Sequence, residues 1–316
     1  MKIVYVTGCL GFIGSYVTRL CLERGWYVKG VDLCTYAANL ELLEEFSSYA
    51  NFSFLQSDIN DLEFLYDCDY VINTAAETHV GNSIVKSEAF LHSNINGVEN
   101  ILNTIRHSRT ESDKMPIFFH FSTDEVYGDI NSGNHKEEDT LKPSNPYSAT
   151  KACADMLILA WARTYNIPYV ILRPTNNYGE GQYIEKLIPK CCKYVQLGRK
   201  LPLHNNGLSI RTWLHVNDTA RAVMSIIDSG VINEIFNVSS HFELKNIEVC
   251  NKITDIYFPD IQDKKQFYDF SYQRPGEDIR YSLDDSKLRS LGWKEEAIFE
   301  NEIEKIASYY KDRFIW

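Results

Sequence analysis

Apolar residues arrive in short runs along the first half of the chain, each closed by a turn and followed by apolar positions at helical spacing. The runs are "KIVYVTG" (2–8), "WYVKGVD" (26–32), "FSFLQSD" (52–58), "YVINTAA" (70–76), "IFFHFST" (117–123) and "YVILRPT" (169–175). Helical patterns lie between them, in "SYVTRLCLER" (15–24), "SNINGVENILNTIRHS" (93–108) and "YSATKACADMLILAWARTY" (147–165). Strands separated by helices predict right-handed crossovers and a parallel sheet buried on both faces, hence a doubly wound α/β fold of Rossmann type. After Pro174 the segments become shorter and more polar, with Gly and Pro punctuation. This predicts a dinucleotide-binding domain over 1–174 and a smaller α+β domain over 175–316. Within the latter, segments near 210–240, "IRTWLHVNDTARAVMSII" and "EIFNVSS", could return to the large sheet.

The first turn carries chemistry. "VTGCLGFIGSYV" places Gly8, Gly11 and Gly14 directly after a strand and at the opening of a helix that runs through Phe12 and Ile13. Such a turn lets backbone amides approach a pyrophosphate at a helix N-terminus. Asp32, eighteen positions past Gly14, ends the next predicted strand, where it can accept hydrogen bonds from a ribose and repel a 2′-phosphate. NAD is therefore expected rather than NADP. Asp58, Ile59, Ala75 and Ala76 end the following strands on the same sheet edge, and are candidates to face that cofactor.

Composition narrows the function. The 316 residues suffice for one large domain or two coupled ones, and the mix of 44% hydrophobic and 24% charged residues is that of a globular protein. A net charge of −11 argues against a nucleic-acid-coating surface, so any anionic ligand must be met locally. The eight cysteines show no C-x-x-C spacing and read as reduced core thiols rather than disulfides or metal ligands. No basic leader and no apolar stretch of about twenty residues is visible, which leads us to expect a cytoplasmic protein without membrane contact.

Two further constellations stand out. "NPYSATKAC" puts Tyr147 and Lys151 at i and i+4 on one helix face, where an ammonium favours a phenolate that would otherwise form only near pH ~10. "FSTDEVYG" carries an apolar strand straight to Thr123, Asp124 and Glu125. Two adjacent carboxyl groups split their pKa values, because ionising both together is unfavourable.

The glycine turn, the strand-end Thr123 and the Tyr147-x-x-x-Lys151 pair resemble the extended short-chain dehydrogenase/reductase family. More narrowly, "STDEVYG", "NPYSATKA", "NNYG", "EKLIPK", "KNIEV", "RPGEDIRY" and "LGW" resemble the nucleoside-diphosphate-glucose 4,6-dehydratases over nearly the whole chain. The resemblance implies that Tyr147 takes the C4 hydroxyl proton as hydride passes to NAD, with Lys151 tuning the tyrosine and holding the nicotinamide ribose. It implies that Thr123 bonds near the C4 oxygen, Glu125 abstracts the C5 proton and Asp124 protonates the departing C6 hydroxyl, before hydride returns to C6. It also implies a diphosphate-nucleoside cradle of Asn177, Lys186, Arg211, Asn246 and Arg274, and a homodimer built on the helices around 93–108 and 147–165.

Three departures bear on the nucleotide. Gly81 and Asn82 stand where relatives commonly carry aspartate and arginine, and Glu277 stands where bacterial dTDP-sugar enzymes commonly carry histidine. "NPYSATKA" and "RYSLDDSKLRSLGW" look closer to eukaryotic UDP-glucose enzymes, so UDP-glucose is ranked ahead of dTDP-glucose. The rival readings are a nucleotide-sugar 4-epimerase or reductase of the same fold, and a non-catalytic dinucleotide-binding regulator.

Overall fold

All six apolar runs of the first half form strands in the computed structural model, which describes every residue except 64, 66, 109–113, 312 and 314–316. They are β1 (Ile3–Thr7), β2 (Tyr27–Asp32), β3 (Phe52–Gln56), β4 (Tyr70–Asn73), β5 (Ile117–Phe121) and β6 (Tyr169–Pro174). Six further strands follow: β7 (Asn176–Tyr178), β8 (Leu201–Pro202), β9 (Ile210–His215), β10 (Glu234–Val238), β11 (Glu243–Lys245) and β12 (Tyr268–Asp269). The large sheet has the order β10-β6-β5-β4-β1-β2-β3, and every pairing in it is parallel.

Successive residues of a strand face opposite sides, so a sheet covered on both faces needs unbroken apolar runs. Val4, Val6 and Ile72 pack with Val17 and Cys21 of the helix Phe12–Glu23 and with Val223 and Ile227 of the helix Val216–Ser229. Tyr5, Val71 and Phe118 face the other way, onto Ile101 and Ile105 of the helix Gly97–His107 and Ala154 and Ile158 of the helix Pro146–Tyr165.

The segment near 210–240 divides between two sheets. "EIFNVSS" supplies β10, the edge strand beside β6. β9 instead joins β7 and β11 in a three-stranded sheet, while the helix that follows it, Val216–Ser229, lies on the large sheet. Around the small sheet, the helices Leu187–Gln196, Asn246–Tyr257 and Phe299–Lys311 enclose a second core centred on Tyr178, Trp213 and Phe299. A cleft opens between the two cores at the carboxyl ends of β1, β4, β5 and β6. This is the crevice where strand order reverses and where open α/β sheets take their ligands.

Candidate active site

The cleft begins at the glycine turn. Gly8 has φ +71°, and a Cβ there would stand 2.8 Å from the Ala75 amide nitrogen. Gly14 is tighter still: its Cβ would fall 2.0 Å from the Gly8 carbonyl oxygen, so helix and strand meet only because the residue is glycine. Gly11 precedes the helix as its N-cap and provides no side-chain cap, leaving the first-turn amides of Phe12 and Ile13 available to an anion.

Asp32 holds this turn in place. Its Oδ2 accepts from the Leu10 amide at 3.0 Å and its Oδ1 from the Cys34 amide at 2.8 Å. Burial pushes its carboxyl up, against the pull of the two amides. A hollow of about 120 Å³ is lined by Gly8, Gly11, Asp32, Asp58, Ile59 and Ala75, with Ala76 beside them. Asp58 is braced by Asn60 and by His92 Nε2 at 3.0 Å. Thus Gly8, Gly11, Asp32, Asp58, Ile59, Ala75 and Ala76 share one chamber.

A second chamber of about 250 Å³ continues from Gly8, Gly11, Phe12, Ile13 and Gly14 to Thr123, Asp124, Glu125 and Tyr147. β5 ends at Phe121, and a 3₁₀ turn over Asp124–Tyr127 begins with Thr123 as its N-cap, the hydroxyl accepting from the Glu125 amide at 3.3 Å. The turn carries both carboxyl groups off the strand and into the cleft. Asp124 is 3% exposed; Thr123 Oγ1 donates to its Oδ1 at 3.1 Å, while Oδ2 has no partner. Burial, reinforced by the Glu125 charge, pushes the Asp124 carboxyl up to about 7 despite Arg211 and Thr123. Glu125 is raised by burial too, but Arg211, Asn145, Arg274 and Lys186 all favour its ionised form. Asp124 thus keeps its proton toward neutrality, while the groups around Glu125 oppose the upward push of its burial.

Asn145 is a site residue the motif reading passed over. It caps the Tyr147 helix, its Oδ1 accepting from the Ser148 amide at 3.0 Å. That fixes the amide's orientation, and Nδ2 donates to Glu125 Oε2 at 3.2 Å. An Asn-Pro helix start is legible in a sequence; its second use, on Glu125, is not. Tyr281 is the other omission, donating to Glu125 Oε2 at 3.5 Å and to Asp278.

Tyr147 and Lys151 sit in the first two turns of the same helix, both buried. Burial and the neighbouring carboxylates hold the Tyr147 phenol well above its ordinary range, opposed by a hydrogen bond with Thr123, so the lowering expected from Lys151 is outweighed by burial among carboxyl groups. Burial brings the Lys151 ammonium down to about 8, with Asp155 opposing. Its Nζ lies 3.3 Å from His120 Nε2.

The expected nucleotide cradle is only partly assembled around the chamber. Asn177 and Lys186 line it; Asn177 Oδ1 is buried without a partner, and Lys186 Nζ donates to the Thr78 carbonyl at 2.9 Å. Arg211 lies further on, donating to the carbonyls of Ile210 and Asp278 and stacked 4.4 Å from the Tyr281 ring centre. Glu277 faces both arginines, 3.4 Å from Arg211 Nη2 and 2.5 Å from Arg274 Nη2. Asn246 opens the helix beyond β11, giving its amide to the Ser209 carbonyl. Gly81 and Asn82 lie in the short helix Val80–Val85, capped by His79 Nδ1 at 3.1 Å from the Asn82 amide. Among the described residues no group of three metal-ligating side chains forms a metal site.

Comparison with known proteins bears on this geometry. Residues 5–306 match the pattern of the family described as GDP-mannose 4,6 dehydratase. The chain belongs to the nucleotide-sugar 4,6-dehydratases of the extended short-chain dehydrogenase/reductase family. A dTDP-glucose 4,6-dehydratase of Escherichia coli is 39% identical to this dehydratase over 341 residues, covering 100% of this chain and 94% of the relative. The low-salt glycan biosynthesis protein Agl12 of Haloferax volcanii is 36% identical, covering 97% of this chain and 98% of its own. The dTDP-glucose 4,6-dehydratase DesIV of Streptomyces venezuelae, solved with NAD, superposes with a TM-score of 0.90 at 32% identity over 99% of this chain and 97% of that one. A Bacillus cereus UDP-glucuronic acid 4-epimerase also reaches a TM-score of 0.90 over 98% of this chain and 99% of its own, but at 24% identity it shares the fold alone.

Proposed function

We propose that this dehydratase converts UDP-glucose or dTDP-glucose to the 4-keto-6-deoxy sugar, and that the carboxyl pair Asp124 and Glu125 sets it apart from an epimerase on the same scaffold. The single observation that carries the reading is the placement of that pair: the turn after β5 brings both carboxyl groups into the chamber that holds the glycine turn and Tyr147, with the Asn145 amide donating to Glu125.

The glycine turn fits a dinucleotide. Gly8 and Gly14 form a cradle that a Cβ would fill, and the free first turn of the helix offers donors to a pyrophosphate. Gly8, Gly11, Phe12, Ile13 and Gly14 would hold the diphosphate of NAD, with Asp32, Asp58, Ile59, Ala75 and Ala76 around the adenosine half, and Tyr147 and Lys151 at the nicotinamide end. When bound, NAD supplies reversible hydride acceptance at the sugar. Tyr147 is the proposed acceptor of the C4 hydroxyl proton, steadied by Thr123; its phenol is held high by burial and the carboxylates, so this role needs the positive charge that a bound oxidised nicotinamide would bring beside it. Loss of water then needs a base for the proton next to the new ketone, and Glu125, whose ionised form Arg211, Asn145, Arg274 and Lys186 favour against burial, meets that need. Asp124, which still carries its proton near neutrality, gives it to the departing C6 oxygen.

Asn177, Lys186, Arg211, Asn246 and Arg274 are the proposed substrate contacts. Uracil and thymine differ by one methyl group, worth about 1–3 kcal/mol in an apolar pocket, so both nucleotides remain substrates in this proposal. Eight unpaired cysteines suit a reducing cytoplasm, and among the described residues no helix is long and apolar enough to cross a membrane. Pairing of two copies through the helices Gly97–His107 and Pro146–Tyr165 would cover Met156, which is 49% exposed.

The test is incubation with each nucleotide sugar followed by product mass. A product lighter by one water supports the dehydratase reading, an unchanged mass points to epimerisation, and no conversion of either overturns the substrate assignment. Glu125→Gln should lose water elimination by about 100-fold or more while the cofactor's reduced form accumulates at 340 nm. Loss of that absorbance as well would refute the division of labour.

A further inference from the structure

Behind Lys151 lies a buried polar chain that the proposed mechanism leaves unused. Lys151 Nζ meets His120 Nε2 at 3.3 Å, His120 Nδ1 meets the Asn73 side-chain nitrogen at 3.1 Å, and Asn73 Oδ1 accepts from the Thr7 hydroxyl at 2.5 Å. The four residues come from β1, β4, β5 and the Tyr147 helix, and all are buried, with His120 and Thr7 fully excluded from solvent. A wholly buried imidazole with two polar neighbours is costly unless both ring nitrogens are satisfied.

We propose that His120 is a positioning residue for Lys151: a neutral imidazole whose Nε2 lone pair receives the ammonium and whose Nδ1–H is anchored through Asn73 to Thr7. Burial and the Lys151 charge hold the imidazole well below its ordinary range, which keeps it neutral. The direction of the chain follows from donor counting. An ammonium has three donors and no acceptor, so toward charged Lys151 the ring must present a lone pair at Nε2 and carry its proton on Nδ1. Nδ1–H then needs an acceptor; the Asn73 amide lies with its nitrogen toward the ring and its oxygen toward Thr7, and supplies one when these two near-isosteric ends exchange places so that its NH₂ faces Thr7. The opposite amide orientation fits only a neutral Lys151. The chain thus has two self-consistent directions, selected by the lysine's charge. The other charged groups near Lys151 are Asp155, one turn along the same helix, and Arg173 of β6, whose Nε pairs with Asp155 Oδ2 at 2.9 Å. Much of the Asp155 charge is therefore committed elsewhere, and His120 is the acceptor that meets the ammonium directly.

This inference rests on the assignment of Tyr147 and Lys151 to sugar oxidation, and its test separates the two. Nitrogen-15 spectra of the histidine side chains in the intact protein need no turnover. They should show one buried imidazole neutral from pH 5.5 to 7, where Lys151 is charged, with its proton on Nδ1, absent in His120→Gln and altered in Lys151→Met. In the enzyme, His120→Leu removes the acceptor. It should slow sugar oxidation, read at 340 nm, by about 10–100-fold at pH 7.5 with KM within threefold, and move the basic limb of that step down by about one pH unit. His120→Gln, which keeps an acceptor, should recover most of the rate. An imidazole carrying its proton on Nε2 in the wild type, or one indifferent to Lys151→Met, overturns the inference. So does a folded His120→Leu variant that oxidises at the wild-type rate with an unmoved limb. If the wild type oxidises neither nucleotide sugar, the proposed function fails, and the spectra alone decide the role of His120.

Discussion

Asp124→Asn tests the electrostatic centre of the site through stability rather than turnover. In the unfolded chain an aspartate ionises near 3.8, whereas burial and Glu125 hold the folded carboxyl to about 7. Between those values the unfolded state releases a proton that the folded state keeps, so raising the pH favours unfolding. The wild type should therefore lose stability as pH rises from about 4 to about 7, and lose no more from this group above that. Roughly three pH units at 1.36 kcal/mol each give an upper bound of about 4 kcal/mol. Asparagine has a similar shape, can still accept from Thr123 and does not titrate. Glu125 is present in both proteins, so its own titration largely cancels. The two proteins should unfold alike near pH 3.5, below the unfolded value, and Asp124→Asn should be more stable by about 2–4 kcal/mol at pH 7.5. The measurement is the urea midpoint, followed by circular dichroism at several pH values with the slope held in common. A stability difference that does not vary with pH, or a variant less stable than wild type at pH 7.5, would refute the placement of the proton on Asp124. The same variant should be deficient in water elimination, since an amide has no acidic proton to give the leaving oxygen.

Two other perturbations address the ends of the cleft. Gly14→Ala drives a Cβ to within 2.0 Å of a backbone oxygen, so it should cost about 1–3 kcal/mol and release bound NAD, measured from the cofactor content of purified protein. Gly25→Ala is the control: its φ of +71° adds strain, but nothing lies within 4 Å, so cofactor content should not change. At the other end, Glu277 pairs with Arg211 and Arg274, so in the proposed cradle it would compete with a diphosphate for them. Glu277→Gln should tighten UDP binding by about 3–10-fold at low ionic strength and by less in high salt, as read by calorimetry; unchanged or weaker binding would show that the carboxylate does not oppose the nucleotide.

What the sequence disclosed, and what it withheld, follows from how far each group's partners lie along the chain. The central strands β1, β4 and β5 were legible because an apolar run buried on both faces has few polar gaps, the edge strand β3 by its apolar residues before a turn although it is partly exposed, and the glycine turn because Gly8, Gly11 and Gly14 solve a steric problem within one turn. The fate of "EIFNVSS" was left open, since a five-residue edge strand next to β6 reads no differently from a strand of the small sheet. The π-helical turn His92–Asn96 was invisible for a related reason: its apolar spacing suits an ordinary helix. At the site, two adjacent carboxyl groups announced that one would keep a proton, but not which. That choice depends on Asn145 twenty positions away and on Arg211 and Arg274, which come from the other side of the cleft. Glu277 could be seen as a departure from its relatives, yet its meeting with both arginines exists only once β9 and the segment around 274–280 are brought together. In the proposed mechanism the reaction type is thus written locally, in Thr123 to Glu125 and Tyr147 to Lys151, while the protonation states it needs depend on residues the fold delivers from a distance. Exchanging Asp124 or Glu125 attacks the first, exchanging Glu277 or His120 the second, and the two classes should separate as lost chemistry against shifted binding or pH dependence.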